Sequence, residues 1–432
     1  MTRAPRDDGR RAGGPAGGVA ARVEAVWRIE AAGIIARVAR IVHDVALAED
    51  LAQDALVAAL TAWPQSGVPD NPAAWLTSTA TNRAIDQLRR RQNLDRKHEL
   101  VRTELERADP PETHDLVAAM DDIDDDILRL VFTCCHPVLG PEAQAALTLR
   151  MVGGLTTAEI ARAFLTSTTT VQQRIVRAKR TLTEHDVRFE QPEPHERPAR
   201  LAAVLRVIYL LFNEGYAATS GADWTRPALC EDALRLARIL AGLAPTEPEV
   251  HGLAALLELQ ASRLAARIGP GGEPVLLLDQ DRSRWDRLLI RRGLDALARA
   301  EEQGTPAGPY ALQAAIAACH ARAARPQDTD WGRIAALYDT LAERAPSPVV
   351  ELNRAVALGM ARGPQVGLAL VDQLVAMDAL PGYHLLPAVR GDLLERLGRN
   401  EEARAAFAQA AELTDNERER ALLRRRAAGA DA

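Results

Sequence analysis

The stretch TTAEIARAFLTSTTTVQQRIVRAKR, residues 156–180, predicts two short helices joined by a turn. At its start, Thr156 and Glu159 have the spacing of a capping box, in which each side chain accepts a hydrogen bond from the other residue's backbone amide. After the turn, Ser167 or Thr168 can cap a second helix, because a short hydroxyl side chain satisfies a free amide of the first helical turn. The stretch therefore predicts a helix-turn-helix.

The second helix of this motif carries short polar side chains first and basic side chains after them. Hydroxyl and amide groups near a helix N-terminus match base edges in the major groove, and Arg and Lys match phosphates. The residues that would contact duplex DNA are Thr168, Thr169, Thr170, Gln172, Gln173, Arg174, Arg177, Lys179 and Arg180. An ordinary solvated helical hairpin is the alternative interpretation of the same pattern.

The composition of the whole chain predicts an all-α protein. Its 432 residues suggest two or three domains, and 47% of them are hydrophobic while only 4% are aromatic. Ala, Leu, Arg and Glu favour helices, whereas strands are enriched in β-branched and aromatic residues. The formal net charge of −6 means that any contact with nucleic acid must come from a local basic patch.

Several classes of protein are disfavoured by motifs that the sequence lacks. It has no CxxC pair among its four cysteines, no GxxxxGK, GxSxG or HExxH motif, and no apolar run near the ~20 residues of a membrane span. We therefore expect no cofactor, no metal, no membrane contact and no enzymatic activity, and a reducing, cytoplasmic location. The adjacent Cys134 and Cys135 are expected to pack as buried thiols rather than to bind metal.

A second basic segment follows an irregular stretch rich in proline and glycine, residues 64–72. An aromatic ring, an amide and several guanidinium groups beside a loop are the groups needed to hold unstacked, single-stranded bases. The basic residues of this segment are Arg83, Arg89, Arg90, Arg91, Arg96 and Lys97, and Trp75 and Asn82 lie beside them. A solvated helix face is again the alternative.

Changes in composition divide the chain into segments. The predicted boundaries are a disordered tail at 1–20, a helical bundle at 21–97, an acidic linker at 98–126, the helix-turn-helix unit at 127–188, a short linker at 189–198 and a helical-repeat domain at 199–432. Acidic side chains dominate the first linker, and proline and glutamate dominate the second.

The last third of the chain has the spacing of a tetratricopeptide (TPR) repeat. The bulky residues Tyr338, Val371 and Phe407 lie 33 and 36 residues apart, close to the ~34-residue period of that repeat. The small residues Ala355 and Gly367 are 12 residues apart, as are Gly391 and Ala403. Small residues at these positions would let paired helices approach closely while the bulky residue fills the gap. The pattern predicts stacked helical hairpins.

Three segments, taken in order, resemble the extracytoplasmic-function (ECF) sigma factors of bacterial RNA polymerase. EDLAQDA at 49–55 resembles the polymerase-binding helix of sigma region 2. NPAAWL at 71–76, with Asn82, Ala84-Ile85-Asp86 and Leu88-Arg89-Arg90-Arg91 after it, is similar to the part of that region that melts the promoter and reads the minus-ten element. Residues 155–182 resemble region 4, which reads the minus-thirty-five element.

The remainder resembles the ECF subgroup that carries a large TPR-like C-terminal extension. The segments that carry this likeness are FTCCHP at 132–137, LFNEGY at 211–216, DQDRSRWD at 279–286 and LNRA at 352–355. The extension would then be a regulatory module with its own protein or small-molecule partner.

The resemblance also implies a role for particular residues. Core RNA polymerase would bind Glu49, Asp50, Leu51, Gln53 and Asp54. The melted minus-ten strand of the promoter DNA would contact Trp75, Asn82, Arg83, Asp86, Arg89, Arg90 and Arg91. The second helix of the helix-turn-helix, at 168–180, would read the minus-thirty-five duplex.

Two other functions fit parts of the sequence. One is a TPR-containing helix-turn-helix regulator that binds promoters but not core polymerase. The other is a TPR scaffold for protein partners in which the helical hairpin has no DNA-binding role. The acidic segment at 49–55 distinguishes the first alternative, because only a sigma factor needs it for polymerase binding.

Overall fold

The computed structural model describes residues 15–100, 123–164, 166–217, 220–221, 225–302 and 307–429. Within these residues α-helices make up nearly all of the regular structure, which confirms the predicted all-α class. The chain forms two compact units. One contains residues 1–162 and 166–204, and the other contains residues 163–165 and 205–432.

The first unit is organised around its first helix. Its helices are α1 (Pro15–Val42), α2 (Val45–Ser66), α3 (Pro72–Leu100), α4 (Ile123–Cys134), α5 (Pro141–Met151), α6 (Thr157–Ala163), α7 (Thr168–Glu184) and the beginning of α8 (Arg197–Tyr216). The apolar residues Trp27, Ile34 and Ile35 recur at helical spacing and are buried where α1 packs against α2, α3 and α4. This packing fixes the helices that carry the predicted polymerase and DNA contacts.

Two predicted boundaries differ from the structure. Helix α1 begins at Pro15, so residues 15–20 are helical rather than part of the tail, since proline is well suited to the first helical turn. Helix α2 continues through Pro64 to Ser66 and ends at Gly67, whose φ of 82° takes the chain out of the helix. Proline therefore lies in the last turn of α2 instead of ending it. Residues 1–14 and most of the predicted acidic linker lie outside the described residues.

The adjacent cysteines are part of the core of the first unit. Cys134 and Cys135 are fully buried, and their sulfur atoms lie 3.7 Å from Met151 Sδ and 3.4 Å from Thr148 Oγ1. Burial raises the pKa of Cys134 well above its usual value, which keeps it a neutral thiol. The prediction that these thiols serve packing is confirmed.

The second unit is a succession of helices that pack mainly on helices one or two places away along the chain. Its helices are the end of α8, α9 (Pro227–Leu243), α10 (Pro248–Ala261), α11 (Arg287–Glu302), α12 (Pro309–Arg322), α13 (Trp331–Arg344), α14 (Pro348–Arg362), α15 (Pro364–Ala376), α16 (Leu385–Arg396), α17 (Asn400–Leu413) and α18 (Glu417–Ala427). Two short strands, β1 (Ser220–Gly221) and β2 (Asp415–Asn416), pair in parallel. Such nearest-neighbour packing is the arrangement of a helical array.

Small residues in this unit allow the close helix contacts that the repeat spacing predicts. A Cβ atom on Gly391 would lie 2.6 Å from the ring of Phe407, and one on Gly367 would lie 2.6 Å from the carbonyl oxygen of Ala355. Phe407 and Val371 are fully buried in one apolar cluster. The predicted helical hairpins are therefore present, while their assignment to the TPR family stays a prediction.

The described part of the chain has neither a candidate membrane span nor a candidate metal site. No helix there is long and apolar enough to cross a membrane. No group of three or more His, Cys, Asp or Glu side chains there is placed to hold a metal ion.

Candidate functional site

The acidic segment of α2 divides into an exposed face and a buried face. Asp44 caps this helix by accepting hydrogen bonds from the amides of Ala46 and Leu47 at 2.8 and 3.0 Å. The helical period then turns Asp50 and Asp54 outward, with side chains that are 69% and 65% exposed. This face offers two carboxylates to a basic partner.

Glu49, next to Asp50 on α2, is buried and is held by the helix-turn-helix part of the same unit. Arg150 Nε donates to Glu49 Oε1 at 3.0 Å, and Lys179 pairs with the other oxygen. Lys179 also donates to Asp50 Oδ1 at 2.9 Å. Burial opposes the charge of Lys179, but the neighbouring carboxylates of Glu49 and Asp50 outweigh it and raise the pKa of the ammonium. The four side chains form one ion-pair cluster, which we call the Glu49 cluster.

One residue predicted to contact polymerase is buried in this structure. Leu51 lies on the face of α2 that packs against α1 and is buried, because hydrophobic residues at this spacing turn toward the core. It therefore supports the helix from inside, and its contact with polymerase stays a prediction. Gln53 is half-buried beside the exposed Asp54.

The loop before α3 and the first turn of that helix position an aromatic ring. Asn71 accepts a hydrogen bond from the amide of Ala74 at 3.0 Å, which anchors the start of α3. The ring of Trp75 stands edge-on to that of the buried Trp63, with centroids 5.5 Å apart. Trp75 keeps part of its surface exposed. A fixed, partly exposed ring of this kind can stack on a nucleic-acid base.

Further polar and charged residues follow Trp75 along α3. Asn82 and Asp86 are exposed two and three turns later on the same face, as the helical period requires. Arg83 pairs with Asp54 of α2 at 3.5 Å. Arg89 lies 3.9 Å from Asp86, and Arg90 is exposed. Arg91 lies where α3 continues but outside the described side chains.

The capping box forms as the sequence predicts. Glu159 Oε2 accepts from the amide of Thr156 at 2.8 Å, and Thr156 Oγ1 accepts from the amide of Glu159 at 3.2 Å. Glu159 also pairs with Arg28 of α1. Partial burial works against its charge, yet the hydrogen bonds from Thr156 and the nearby Arg28 lower the pKa of Glu159. Helix α7 is capped by Ser167, whose hydroxyl accepts from the amide of Thr170 at 3.0 Å.

Helix α7 buries one face and exposes the opposite one. The buried face consists of Val171, Ile175, Ala178 and Leu182. Between residues 168 and 180 the exposed side chains are Thr168, Thr169, Gln172, Gln173, Val176, Arg177 and Arg180. The exposed face carries most of the predicted base and phosphate contacts.

Not all of the predicted DNA contacts on α7 are free to meet DNA. Arg174 pairs with Glu142 at 2.5 Å, and Lys179 belongs to the Glu49 cluster. Arg180 pairs with Glu184 at 2.6 Å, although its side chain stays 76% exposed. Thr170 bonds to Ser167 and is half-buried. Arg174 and Lys179 therefore hold the unit together in this structure.

The sequence did not point to two residues that the structure brings to this site. Arg150 occupies the last turn of α5, and nothing in its local pattern predicts a partner 101 residues away in Glu49. Val176 is 63% exposed on the polar face of α7. Val176 lies three and four residues after Gln173 and Gln172, and this spacing could have placed it on the same helix face as these polar residues.

Comparison with known proteins identifies the segments that carry these sites. Residues 31–94 match the family model for sigma-70 region 2, and residues 129–182 match that for sigma-70 region 4. Residues 200–301 match a family of unknown function (DUF6596). An uncharacterized protein of Rhizobium meliloti (strain 1021) is 45% identical over 391 residues, which cover 88% of each chain. No solved structure matches.

Proposed function

Because this chain belongs to the ECF-type sigma factors that carry a C-terminal extension, we propose that its first unit divides polymerase docking, strand capture and duplex reading among α2, α3 and α7. Such a factor directs core RNA polymerase to promoter DNA and starts transcription. Sigma-factor families are regulators of transcription rather than enzymes. The place of action would be the cytoplasm, where bacterial core polymerase works.

Docking would use the exposed carboxylates of α2. Asp50 and Asp54 point outward from a helix whose other face is anchored on α1. Carboxylates on a rigid helix suit a basic surface of core polymerase, and Gln53 would add a hydrogen bond between them. Glu49 would reach polymerase only after Arg150 and Lys179 release it.

Strand capture would use the outward face of α3. Trp75 would stack on an unpaired base, and Asn82 and Asp86 would hydrogen-bond to base edges beside it. The exposed Arg90 would contact the strand's phosphates. The support for this role is that the ring, the amide and the carboxylate share one helix face.

Duplex reading would use the exposed face of α7. Thr168, Thr169, Gln172 and Gln173 occupy its first two turns, where a recognition helix approaches base edges. Arg177 and Arg180 follow and would contact phosphates, because their charges stand on the same exposed side.

The second unit would regulate the first. It contains a cavity of about 600 Å³ lined both by apolar side chains, such as Trp331 and Met360, and by charged ones, such as Asp392 and Arg396. A cavity of this size with an apolar wall and a few charged groups suits a small molecule or a side chain of a protein partner. We place the TPR-like regulatory role here, with residues 199–432 as its extent.

The observation that carries the proposal is the exposed acidic face of α2 in the same unit as a capped helix-turn-helix. Run-off transcription with the full chain, purified core polymerase and genomic fragments tests it. Asp54→Lys should abolish promoter-specific transcripts and weaken core binding at least about tenfold. The basic surface of polymerase that attracts the aspartate would repel the lysine. Asp70→Lys makes the same charge change at an exposed loop position and should preserve both activities.

Two results would favour other functions. Salt-dependent promoter binding without any effect of Asp54→Lys on core binding would favour the regulator that does not engage polymerase. For the extension, a chain that ends at residue 204, the last residue of the first unit, should change transcription in rate or promoter stringency. Unchanged rate and stringency would contradict a regulatory role.

A further inference from the structure

Val176 is a large apolar side chain on the outward face of a helix that is otherwise polar there. It is 63% exposed. Gln172 and Gln173 precede it by one turn and Arg180 follows it by one turn, so these side chains flank it on the helix surface. The buried residues of α7, among them Val171 and Ile175, lie on the opposite side. Val176 therefore does not belong to the core of this unit.

The neighbours of Val176 indicate what would cover it. Arg177 and Arg180 are exposed near Val176 and residues 168–180 contain no acidic residue, so the helix surface around Val176 favours a polyanion. The major groove of a DNA duplex offers one apolar group, the C5-methyl of thymine. Contact with that methyl group would remove both apolar surfaces from water.

We propose that Val176 is a specificity-determining residue that selects thymine in the minus-thirty-five element by contact with its C5-methyl group. The inference rests on the proposed reading role of α7. Valine suits this task because its branched side chain has one strongly preferred rotamer in a helix, so little conformational freedom is lost on contact. The glutamines and threonines around it would supply the hydrogen bonds that orient the duplex.

The test removes only the methyl group. Holoenzyme made from the full chain and core polymerase is bound to a synthetic promoter duplex mapped by run-off transcription. Each thymine of the minus-thirty-five element is replaced in turn by deoxyuridine. We expect one replacement to weaken binding by the wild-type holoenzyme about threefold to fourfold, the factor expected for one buried methyl-sized group.

Variants at Val176 then link the methyl group to this side chain. Val176→Ala should bind the natural duplex more weakly and should lose its sensitivity to deoxyuridine, as a double-mutant cycle requires for two groups in contact. Val176→Ile should keep that sensitivity. The control is Val375→Ala, the same truncation at a valine of α15 that is 48% exposed, and it should behave as wild type.

The outcomes separate this inference from the proposed function. If the wild-type holoenzyme initiates at the promoter but no thymine is sensitive, or if Val176→Ala remains equally sensitive, the inference is overturned and the sigma-factor function stands. Equal weakening by Val176→Ala on thymine and deoxyuridine duplexes would also overturn it. If the full chain with core polymerase forms no specific transcript, the proposed function fails and this inference fails with it.

Discussion

Arg150 in α5 donates a hydrogen bond of 3.0 Å to Glu49 in α2, and so joins region 4 to region 2 within the first unit. The Glu49 side chain is only 6% exposed and receives Lys179 on its other oxygen. A buried carboxylate is stable only while its cations stay in place. The Glu49 cluster therefore engages Glu49, which is expected to bind polymerase, and Lys179, which is expected to bind DNA.

The first prediction concerns the release of this contact. Lys179→Met keeps most of the side-chain volume but removes the charge that pairs with Glu49 and Asp50. We expect affinity for core polymerase, measured without DNA by fluorescence anisotropy, to rise by at least about fivefold, because docking would no longer have to break this buried ion pair.

Arg180→Met is the matched control for Lys179→Met. Arg180 is the next residue of α7, but its partner is Glu184 of the same helix. It should leave polymerase affinity unchanged. Equal or weaker binding of polymerase by Lys179→Met would show that the Glu49 cluster does not compete with docking.

The second prediction concerns the capping box of the helix-turn-helix. Thr156→Ala removes the hydroxyl that accepts from the Glu159 amide, and loss of such a cap costs about 1 kcal/mol. Amide hydrogen exchange at residues 157–160 should become about fivefold faster, while Thr156→Ser should restore the wild-type rate. Thr183→Ala removes an exposed hydroxyl that bonds to Lys179 O, so it serves as the control. Unaltered exchange in Thr156→Ala would mean that the cap does not stabilise α6.

The third prediction concerns the contact between Gly391 and Phe407. A Cβ atom added at Gly391 would meet the Phe407 ring at 2.6 Å, so Gly391→Ala should lower the free energy of unfolding of the second unit by about 1–3 kcal/mol. Denaturant unfolding of the full chain measures this. The double variant with Phe407→Leu should recover part of the loss.

Gly242→Ala is the control for Gly391→Ala. Gly242 lies in α9, and a Cβ atom there would meet no atom within 4 Å. Alanine has the higher helix propensity, so Gly242→Ala should be neutral or stabilising by up to about 1 kcal/mol. Similar destabilisation by both variants would count against the packing explanation.

The fourth prediction concerns the pH dependence of the second unit. His320 of α12 is buried, with its ring 5.2 Å from that of Trp331. Burial, together with the nearby charges of Arg263 and Arg282, lowers the pKa of His320 to about 3. In the unfolded chain the same ring takes up a proton near pH 6.5.

Because only the unfolded form binds this proton between about pH 6.5 and pH 3, acid should favour unfolding in that window. The free energy of unfolding should fall by up to about 1.4 kcal/mol per pH unit from this residue. His320→Gln should therefore show a shallower decline than wild type between pH 7 and pH 4. His195→Gln, at an exposed position, should retain the wild-type slope. Parallel slopes for wild type and His320→Gln would contradict the assignment.

Much of the architecture could be predicted because it depends on interactions within a turn or two of helix. The Thr156–Glu159 capping box spans three residues, and the buried stripe of α7 follows from the helical period. The close approach of Gly391 to Phe407 was visible as a spacing of small and bulky residues. These patterns, together with the segments that resemble ECF sigma factors, were sufficient to predict the helices, the helix-turn-helix and the general function.

The sequence by itself determined which helices form and which faces they bury, because those properties depend on neighbouring residues. Only the tertiary structure decided which charges are free. Glu49 meets Arg150 and Lys179 across separations of 101 and 130 residues, and Arg83 meets Asp54 across a helix interface. Such pairs leave no periodic signal, since they form only when packing brings two distant surfaces within a few ångströms. The same packing buries Leu51 and leaves Val176 exposed to solvent.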